Sequence, residues 1–307
     1  MSHKKVIFMG TPEFSVPILE TIVKSPYKVS CVYTQASKRS NRGQKINNSP
    51  VYDCAKNLKL IVRNPKNLNT EEELQFIKKL NPDIVVVVAY GQLISKKFLE
   101  IPKEGFVNIH ASLLPKWRGA APIQRSIMSS ETETGISIMK IIEDLDAGPV
   151  LKKIKFKIDE TITTEELSKN LSKISSDSIV KVLDDIFNKN LRFIEQNHKL
   201  ATYARKIKKK EAEIKWTEPA KTILAKINGL NPNPGAWFMY KETRYKIWRA
   251  KIIEKIGTPG TILDNNFIIC CGDKSLEIIE IQKEGKNKLP LKSFLMGFNF
   301  KQGDELK

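Results

Sequence analysis

A run of six apolar residues at positions 84–89, Ile-Val-Val-Val-Val-Ala, constrains the fold of this chain more than any other segment. A run of this length without polar alternation is typical of a strand that is buried on both faces. Such strands occur in parallel sheets that helices cover on both sides. A strand–helix–strand pattern at the start of the chain agrees with this arrangement. The sequence therefore predicts an α/β domain with a Rossmann-like, mostly parallel sheet and helices on both faces.

The turn after the first predicted strand argues against a dinucleotide cofactor. Residues 6–8 form a short apolar strand, and a single glycine, Gly10, follows it. Dinucleotide-binding sheets carry a Gly-x-Gly-x-x-Gly turn at that point, where the glycines let the backbone approach a pyrophosphate. The sequence therefore disfavours a nicotinamide dehydrogenase, although the architecture of the sheet is similar.

A second, smaller domain is predicted in the C-terminal third of the chain. Beyond a predicted helix at residues 219–229, short apolar strands alternate with turns rich in Gly, Asn and Asp. This pattern predicts a small antiparallel β-barrel of the OB type. We expect a catalytic domain at residues 1–189, a basic linker at 190–209 and the barrel at 210–307. The predicted barrel strands are residues 236–240, 245–253, 260–263, 267–271 and 276–282.

Asn108 and His110 are the first candidates for catalysis. They lie two apart on a predicted strand, so their side chains share one face. An amide can stabilise an oxyanion while an imidazole moves a proton, and Asp146 on a later loop can orient the imidazole. A lone His is more often a hydrogen-bonded structural residue. Of the three His in the chain, however, only His110 lies where a buried strand reaches a loop rich in Pro and Gly.

The residues around this pair extend the pattern. Asn108-x-His110 is followed by Ser-Leu-Leu-Pro at 112–115, Trp-Arg-Gly-Ala-Ala-Pro-Ile-Gln at 117–124 and Leu-Asp-x-Gly at 145–148. In these motifs the chain resembles the folate-dependent formyltransferase family, and within it the members that act on methionyl-tRNA. The likeness runs from a Phe-Met-Gly-Thr-Pro-Glu-Phe opening at 8–14 to the C-terminal domain, so it covers nearly the whole chain.

The resemblance implies an enzyme, a one-carbon transferase that moves a formyl group from 10-formyltetrahydrofolate to the amino group of methionyl-initiator tRNA for translation initiation. Asn108, His110 and Asp146 match the catalytic triad of the family. The implied folate-binding residues are Ser112, Leu113, Leu114, Pro115 and Tyr90. Formyl transfer to a sugar amine or to glycinamide ribonucleotide remains an alternative. So does a nonenzymatic RNA-binding protein on this scaffold, although the complete triad disfavours it.

The charge of the chain favours a polyanionic partner. Fifty-two Lys and Arg face thirty-four Asp and Glu, a formal net charge of +18. A Lys-rich composition alone could produce this surplus, so clusters of charge are more informative. Residues 34–49 contain four basic residues and no acidic one, which indicates either a solvated loop or a segment that grips phosphates. By the resemblance this segment enters the tRNA acceptor end, with Arg42 at its principal basic position. Its other predicted tRNA-binding residues are Lys38, Arg39 and Lys45.

Two further basic clusters lie in the C-terminal part of the chain. Residues 205–210 form the densest basic run, and Lys208, Lys209 and Lys210 are predicted to contact tRNA unless the run is only a solvated linker. Four cations lie in or beside one predicted barrel strand, with Trp248 among them: Arg244, Lys246, Arg249 and Lys251. Regular alternation would place Arg249 and Lys251 on one face and the other two cations on the opposite face. A basic, aromatic-bearing barrel surface fits nucleic-acid binding, unless Trp237 and Trp248 are simply core residues, and Arg249 is the predicted contact.

The remaining features exclude several classes of protein. The four Cys are scattered without a Cys-x-x-Cys pair or a Cys/His cluster, so neither a metal site nor a disulfide framework is expected. No apolar run approaches the roughly 18 residues that span a bilayer. We therefore expect a cytoplasmic protein that uses neither a metal nor a nicotinamide. The resemblance implies folate and tRNA as its partners, and we expect a monomer.

Overall fold

The computed structural model describes residues 4–40, 45–298 and 300–306, and for residues 38–40 and 45–46 it describes the backbone alone. The strands are β1 Lys5–Gly10, β2 Lys28–Tyr33, β3 Lys38–Ser40, β4 Lys45–Asn47, β5 Val62–Arg63, β6 Ile84–Val88, β7 Phe106–His110, β8 Arg118–Gly119, β9 Glu133–Lys140, β10 Val150–Lys157, β11 Tyr203–Ala204, β12 Ala236–Tyr240, β13 Thr243–Ile253, β14 Ile268–Cys270, β15 Ser275–Lys283 and β16 Leu289–Pro290. The helices are α1 Val16–Val23, α2 Pro50–Asn57, α3 Glu71–Leu80, α4 Lys96–Leu99, α5 Pro122–Met128, α6 Thr164–Phe187, α7 Ala220–Gly229 and α8 Leu291–Leu295.

Seven strands form the main sheet, in the order β10-β9-β7-β6-β1-β2-β5. The four pairs from β7 to β5 are parallel, whereas β9 runs antiparallel to β7. Strand β6 is buried at every position, as the unbroken apolar run predicts. The predicted α/β class with a mostly parallel sheet is therefore confirmed.

Helix α3 packs against one face of this sheet. Its Leu74 joins alternate side chains of the central strands, among them Ile7 and Val85, in a single cluster. The helix begins where the Thr70 hydroxyl accepts the Glu73 N–H, and it ends at left-handed Asn81. Burying a side chain such as Leu74 contributes about 1.5–3 kcal/mol to the free energy of unfolding.

The carboxyl ends of β1, β6 and β7 meet at one edge of the sheet. Gly10 pairs with Val88, and Val87 pairs with Asn108, so the three strands end almost level. His110 is the last residue of β7. Ligands of open α/β sheets bind at this edge, because the loops that follow the strands surround a crevice there.

The C-terminal part of the chain contains an antiparallel sheet in the order β12-β13-β15-β14, with β16 paired to β15. It curls into a half barrel, which agrees with the predicted smaller β domain. Its core is aromatic: Phe238 stacks on Tyr245, and Phe267 stacks on Phe300. The strand predicted at residues 260–263 is absent from the described residues, where Thr261 and Ile262 form only isolated bridges.

The pairing of β13 with β15 is irregular at its centre, and this corrects the predicted faces of β13. Tyr245 and Ile247 point to the barrel core before the irregularity, whereas Ala250 and Ile252 contact it afterwards. A bulge of this kind changes which alternate residues face the core. The prediction that Arg249 and Lys251 face away from Arg244 and Lys246 is therefore wrong, because all four cations lie on the outer face.

The chain divides into two compact units, and each is assembled from separate stretches. The first comprises Met1–Gly119, Gly135–Phe156 and Ser168–Tyr203, and the second comprises Ala120–Thr134, Lys157–Leu167 and Ala204–Lys307. The boundaries expected from the texture of the sequence, 1–189, 190–209 and 210–307, stay a prediction. None of the helices in the described ranges is both long enough and apolar enough to cross a membrane.

Candidate active site

Strand β7 carries Asn108 and His110 to the carboxyl edge of the sheet. Opposite them on β9, Asn108 pairs with Met139 and His110 pairs with Ser137, so both side chains leave the same face. His110 is 6% exposed, whereas Asn108 is half-buried. Within the described residues the Asn108 amide has no hydrogen-bond partner, so its two N–H groups remain available to a ligand.

His110 is held by a hydrogen bond from one ring nitrogen, and its other ring nitrogen faces a carboxylate. Its Nε2 lies 2.8 Å from the carbonyl oxygen of Trp117. Because a carbonyl only accepts, Nε2 carries the hydrogen of this bond. The other nitrogen, Nδ1, lies 3.6 Å from Asp146 Oδ2. That distance exceeds a direct hydrogen bond, but catalytic contacts of this kind often tighten when substrate binds.

Asp146 is fixed by its own backbone and by a main-chain donor. Its φ of +48° lies in the left-handed region, which few residues other than Gly, Asn and Asp adopt. The N–H of Gly119 donates to Asp146 Oδ2 at 2.8 Å, so the oxygen that faces His110 is also tied to the loop after Trp117. Strained residues of this kind cluster at functional sites. The structure therefore brings together Asn108 and His110 on one strand, and His110 and Asp146 through their side chains.

The predicted folate-binding residues 112–115 form a tight loop directly after β7. The Ser137 hydroxyl donates to the Ser112 carbonyl at 2.7 Å and accepts the Leu114 N–H at 2.9 Å. Ser112 and Leu114 are both fully buried, whereas Leu113 and Pro115 are half-exposed. A ligand beside this loop would therefore meet Leu113, Pro115 and the main chain rather than the other two side chains.

Tyr90, also predicted to contact folate, lies in the core under the sheet edge. Its side chain is 1% exposed and belongs to the cluster that packs against α3. Its hydroxyl has no hydrogen-bond partner in the described residues, and burial raises its pKa above the ordinary value. The Tyr90 carbonyl accepts the Thr11 hydroxyl at 2.9 Å, so the main chain of this residue reaches the sheet edge.

A segment without a recognisable sequence motif contacts both the loop that carries Asp146 and the loop around Trp117. Its Ile194 pairs with Val150 after the Asp146 loop, and Thr202 accepts the Trp117 N–H through its hydroxyl at 2.9 Å. Between them, Gln196 donates to the carbonyls of Asp146 and Gly148. We call residues 194–202 the clamp segment. Sequence reasoning missed these residues, because their polar side chains follow no local pattern that a single sequence could reveal.

The predicted tRNA-binding loop is only partly described. Lys38 and Arg39 lie on β3 and Lys45 on β4, and these two short strands pair as an antiparallel hairpin. Arg42, the principal predicted contact, lies outside the described residues. In the sequence, Arg42 therefore lies between the two strands of this hairpin.

The other predicted tRNA contacts differ in their surroundings. Lys208, Lys209 and Lys210 are exposed, and within the described ranges no carboxylate pairs with Lys209 or Lys210. Arg249, in contrast, donates to Glu166 at 2.6 Å, and the neighbouring Lys251 pairs with Glu277 at 2.9 Å. Trp248 is 8% exposed and donates to Gln282, so its ring face is not open for stacking.

The arrangement at the sheet edge suits acyl transfer. It offers an amide donor, an imidazole with a hydrogen on Nε2, and a carboxylate that faces Nδ1, all from the end of one strand and one loop. Among the residues that the structure describes, no three His, Cys, Asp or Glu side chains converge where they could hold a metal ion.

Comparisons with known proteins agree with this chemistry. The family model described as formyl transferase matches residues 4–183, and that described as formyl transferase, C-terminal domain matches residues 206–299. The chain is 49% identical to a methionyl-tRNA formyltransferase from Pelagibacter ubique over 305 residues, which are 99% of this chain and 98% of that protein. It is 40% identical to a methionyl-tRNA formyltransferase from Bradyrhizobium diazoefficiens over 304 residues, which are 97% and 98% of the two chains.

The fold is also shared with solved structures. The chain resembles an N-formyltransferase from Helicobacter canadensis, solved in complex with folinic acid and dTDP-3-aminofucose, with a TM-score of 0.68. The two chains are 20% identical, and the match covers 90% of this chain and 99% of that one. A likeness at this level of identity concerns the fold alone.

Proposed function

The chain belongs to the formyl transferase family, and from that premise we propose that it moves a formyl group from 10-formyltetrahydrofolate to the amino group of methionyl-initiator tRNA, which gives N-formylmethionyl-tRNA. One observation carries the proposal: Asn108, whose amide has no partner among the described residues, stands on the same strand face as His110, and Nδ1 of His110 lies 3.6 Å from Asp146 Oδ2. Two relatives at 49% and 40% identity are named for methionyl-tRNA, whereas the sugar-acceptor structure is only 20% identical.

Asn108 stabilises the oxyanion. When the amine attacks the formyl carbon, negative charge develops on the formyl oxygen, and a preorganised N–H donor lowers the energy of that state. Of the three polar residues, only the Asn108 amide is unengaged within the described chain, so it can donate without breaking an internal bond.

His110 and Asp146 act as a pair in proton transfer. With its hydrogen on Nε2 committed to the Trp117 carbonyl, His110 presents the lone pair of Nδ1 towards Asp146. A proton taken from the attacking amine, directly or through a water molecule, would lie between these two groups. The imidazolium that results is stabilised by the carboxylate 3.6 Å away. The proton would then pass to N10 of the folate as the bond between that nitrogen and the formyl carbon breaks and tetrahydrofolate leaves.

The co-substrate lies beside the 112–115 loop. The half-exposed Leu113 and Pro115 and the main chain of the loop face the ligand, and the buried Ser112 and Leu114 hold the loop in place. Tyr90 supports the same edge from beneath. The folinic acid in the Helicobacter canadensis structure supports a folate ligand for this fold.

The tRNA is gripped by phosphate contacts outside the catalytic edge. Arg42, with Lys38, Arg39 and Lys45 on the hairpin, contacts the acceptor end, while Lys208, Lys209 and Lys210 contact phosphates further along. Arg249 contributes only if its ion pair with Glu166 opens. We further propose that the protein works in the cytoplasm as a monomer.

The test is a direct assay with purified protein. Charged initiator tRNA is incubated with 10-formyltetrahydrofolate, and the expected product is formylmethionine, released by mild hydrolysis and identified by mass spectrometry. Parallel reactions contain an amino sugar nucleotide or glycinamide ribonucleotide as acceptor. Turnover of either of these with none of methionyl-tRNA would contradict the proposal, and turnover of none would favour a nonenzymatic RNA-binding role.

A further inference from the structure

Gln196 is a buried side chain whose hydrogen-bonding capacity is almost fully used. It is 7% exposed. Its Nε2 donates to the Asp146 carbonyl at 2.8 Å and to the Gly148 carbonyl at 2.7 Å. Its Oε1 accepts from both Nε and Nη2 of Arg118, at 3.2 and 2.8 Å. A side chain in this position ties the catalytic loop to the loop after Trp117.

Arg118 decides which way the Gln196 amide points. Arg118 is 3% exposed, and in the described residues its side chain meets Gln196 and His198 rather than any carboxylate. Because a guanidinium only donates, it must face Oε1, and this turns the Nε2 hydrogens towards the two loop carbonyls. The donors are therefore preset before any substrate arrives.

The two carbonyls belong to the stretch of chain that positions Asp146. This residue has a left-handed backbone, which Asp adopts more readily than most residues but less readily than Gly, so its surroundings help to hold it. Gln196 bonds the main chain of Asp146 itself and that of Gly148. The side chain of Asp146 then reaches both the Gly119 N–H and the His110 ring.

We propose that Gln196 is a positioning residue for formyl transfer, which holds the main chain of Asp146 so that the carboxylate stays against His110. The inference rests on the proposed function for its catalytic consequence, but the geometry that it explains can be measured without turnover.

Gln196→Glu keeps the interaction of this side chain with Arg118 and removes its hydrogen bonds to the two loop carbonyls. A carboxylate still accepts from Arg118, and as an ion pair it does so more strongly, so the buried guanidinium keeps its partner. It cannot donate to the two carbonyls, which it repels instead. We expect kcat to fall by between about tenfold and a hundredfold. A loss of this size is typical when a catalytic group, here the Asp146 carboxylate, moves by up to about one ångström. The KM for both substrates should stay within about threefold of the parent.

A structural readout accompanies the kinetics. The Gly119 N–H donates to Asp146 Oδ2, so its hydrogen exchange, measured by NMR, should become faster when Asp146 is released. Gln75→Glu, on the exposed surface of α3, is the matched control for an added charge, and it should change neither kcat nor the Gly119 exchange. Parental kcat and parental Gly119 exchange in Gln196→Glu would overturn the proposal.

A double-variant cycle tests whether Gln196 acts through Asp146. Gln196→Glu added to Asp146→Ala should cost little beyond Asp146→Ala alone, because groups that act as a unit are not additive. If the fold-loss of kcat in the double variant equals the product of the fold-losses in the two single variants, the proposal is overturned.

A second variant covers the case in which Gln196→Glu fails to fold. Replacing both partners, as Gln196→Met with Arg118→Met, leaves neither the buried guanidinium nor the buried amide oxygen unpaired, so the variant should fold more readily than one that strands a charge. The loop carbonyls of Asp146 and Gly148 still lose their donor, which is the loss under test. It should show the same loss of kcat, and parental kcat would overturn the proposal. A parent enzyme that does not formylate methionyl-tRNA would refute the proposed function only, since the Gly119 exchange still tests the positioning role.

Discussion

The catalytic residues and the cations of the barrel are held by different kinds of partner. His110 donates to a main-chain carbonyl, and Asp146 accepts from a main-chain N–H. Arg249 and Lys251 are instead paired with the carboxylates of Glu166 and Glu277. Main-chain partners persist through changes of side chain and fix geometry. Exposed ion pairs contribute little and must open before a phosphate can take the carboxylate's place.

Positive charge in the sequence is therefore not the same as positive charge available to RNA. Three of the four cations on the outer face of β13 meet carboxylates of the same unit, because Arg244 pairs with Glu284 as well. Within the described residues, Lys209 and Lys210 have no such partner. The short basic run is for this reason a better candidate for a phosphate-binding surface than the barrel face.

The largest expected effect comes from the catalytic residues. Asn108→Ala should lower kcat by roughly 10²–10³, because one oxyanion donor is removed. His110→Ala and Asp146→Ala should also lose most of the turnover. Asn108→Ala should melt like the parent, since its amide has no internal partner in the described chain. Single-turnover formylation is the measurement, with exposed Asn57→Ala as control. Near-parental rates in Asp146→Ala would remove Asp146 from the mechanism.

A smaller, acceptor-dependent effect is expected for Arg42→Ala. Removing a charge-assisted hydrogen bond to a phosphate is equivalent to roughly a tenfold or greater fall in kcat/KM with methionyl-tRNA. Reaction with a minimal amine acceptor, such as methionine methyl ester, should be unchanged, because the loop grips the tRNA and does no chemistry. Equal losses with both acceptors would show that the loop shapes the active site instead.

The two cation groups should differ in the salt dependence of tRNA binding. Changing Lys208, Lys209 and Lys210 together to Ala should reduce the slope of log K against log salt by about 0.7–0.9 for each phosphate that the variant no longer neutralises. Arg249→Ala with Lys251→Ala should reduce this slope less, because those two cations are already paired with the carboxylates of Glu166 and Glu277. Titrations at several salt concentrations measure both slopes.

All tRNAs should weaken alike in the lysine triple variant, since phosphate contacts carry no sequence information. Preference for the initiator should therefore survive. A triple variant with the parental slope would identify the run as a solvated linker. A larger effect of Arg249→Ala with Lys251→Ala would show that the barrel face, rather than the lysine run, is the main phosphate-binding surface.

The smallest expected effect concerns the ion pair of Arg249. The N–H of Thr163 and the Arg249 guanidinium lower the pKa of Glu166 from 4.5 to about 2. The stabilisation of the fold by the ionised Glu166 is therefore present above pH 4.5 and is lost as the pH falls towards 2. Both side chains are 43% exposed, so solvent screening limits the contribution to at most about 1 kcal/mol.

Glu166→Gln should therefore lower the free energy of unfolding near neutral pH, and the difference from the parent should shrink below pH 4.5. Urea unfolding at several pH values measures it, with the exposed Glu160→Gln as the control for a removed charge. A difference that grows on acidification would contradict this assignment.

Much of the fold and part of the site could be predicted because they depend on local pattern. The run at 84–89 predicts a fully buried strand, and the Asn108-x-His110 spacing places two side chains on one face. The clamp segment could not be predicted, since Gln196 meets Asp146 across fifty positions of chain and nothing near it in the sequence marks that hydrogen bond. The faces of β13 were predicted wrongly because a bulge depends on how two strands pair, and regular alternation ignores it.

The composition of the second compact unit affects how such a protein can be recombined. Residues 120–134 and 157–167 belong to the same unit as the barrel, and helix α5 packs on α7 so closely that a side chain at Gly229 would meet Met128. A chimaera that takes everything after residue 205 from a relative would pair that relative's α7 with this chain's α5. Crossovers between relatives should therefore be tolerated only when all three stretches are inherited from the same parent.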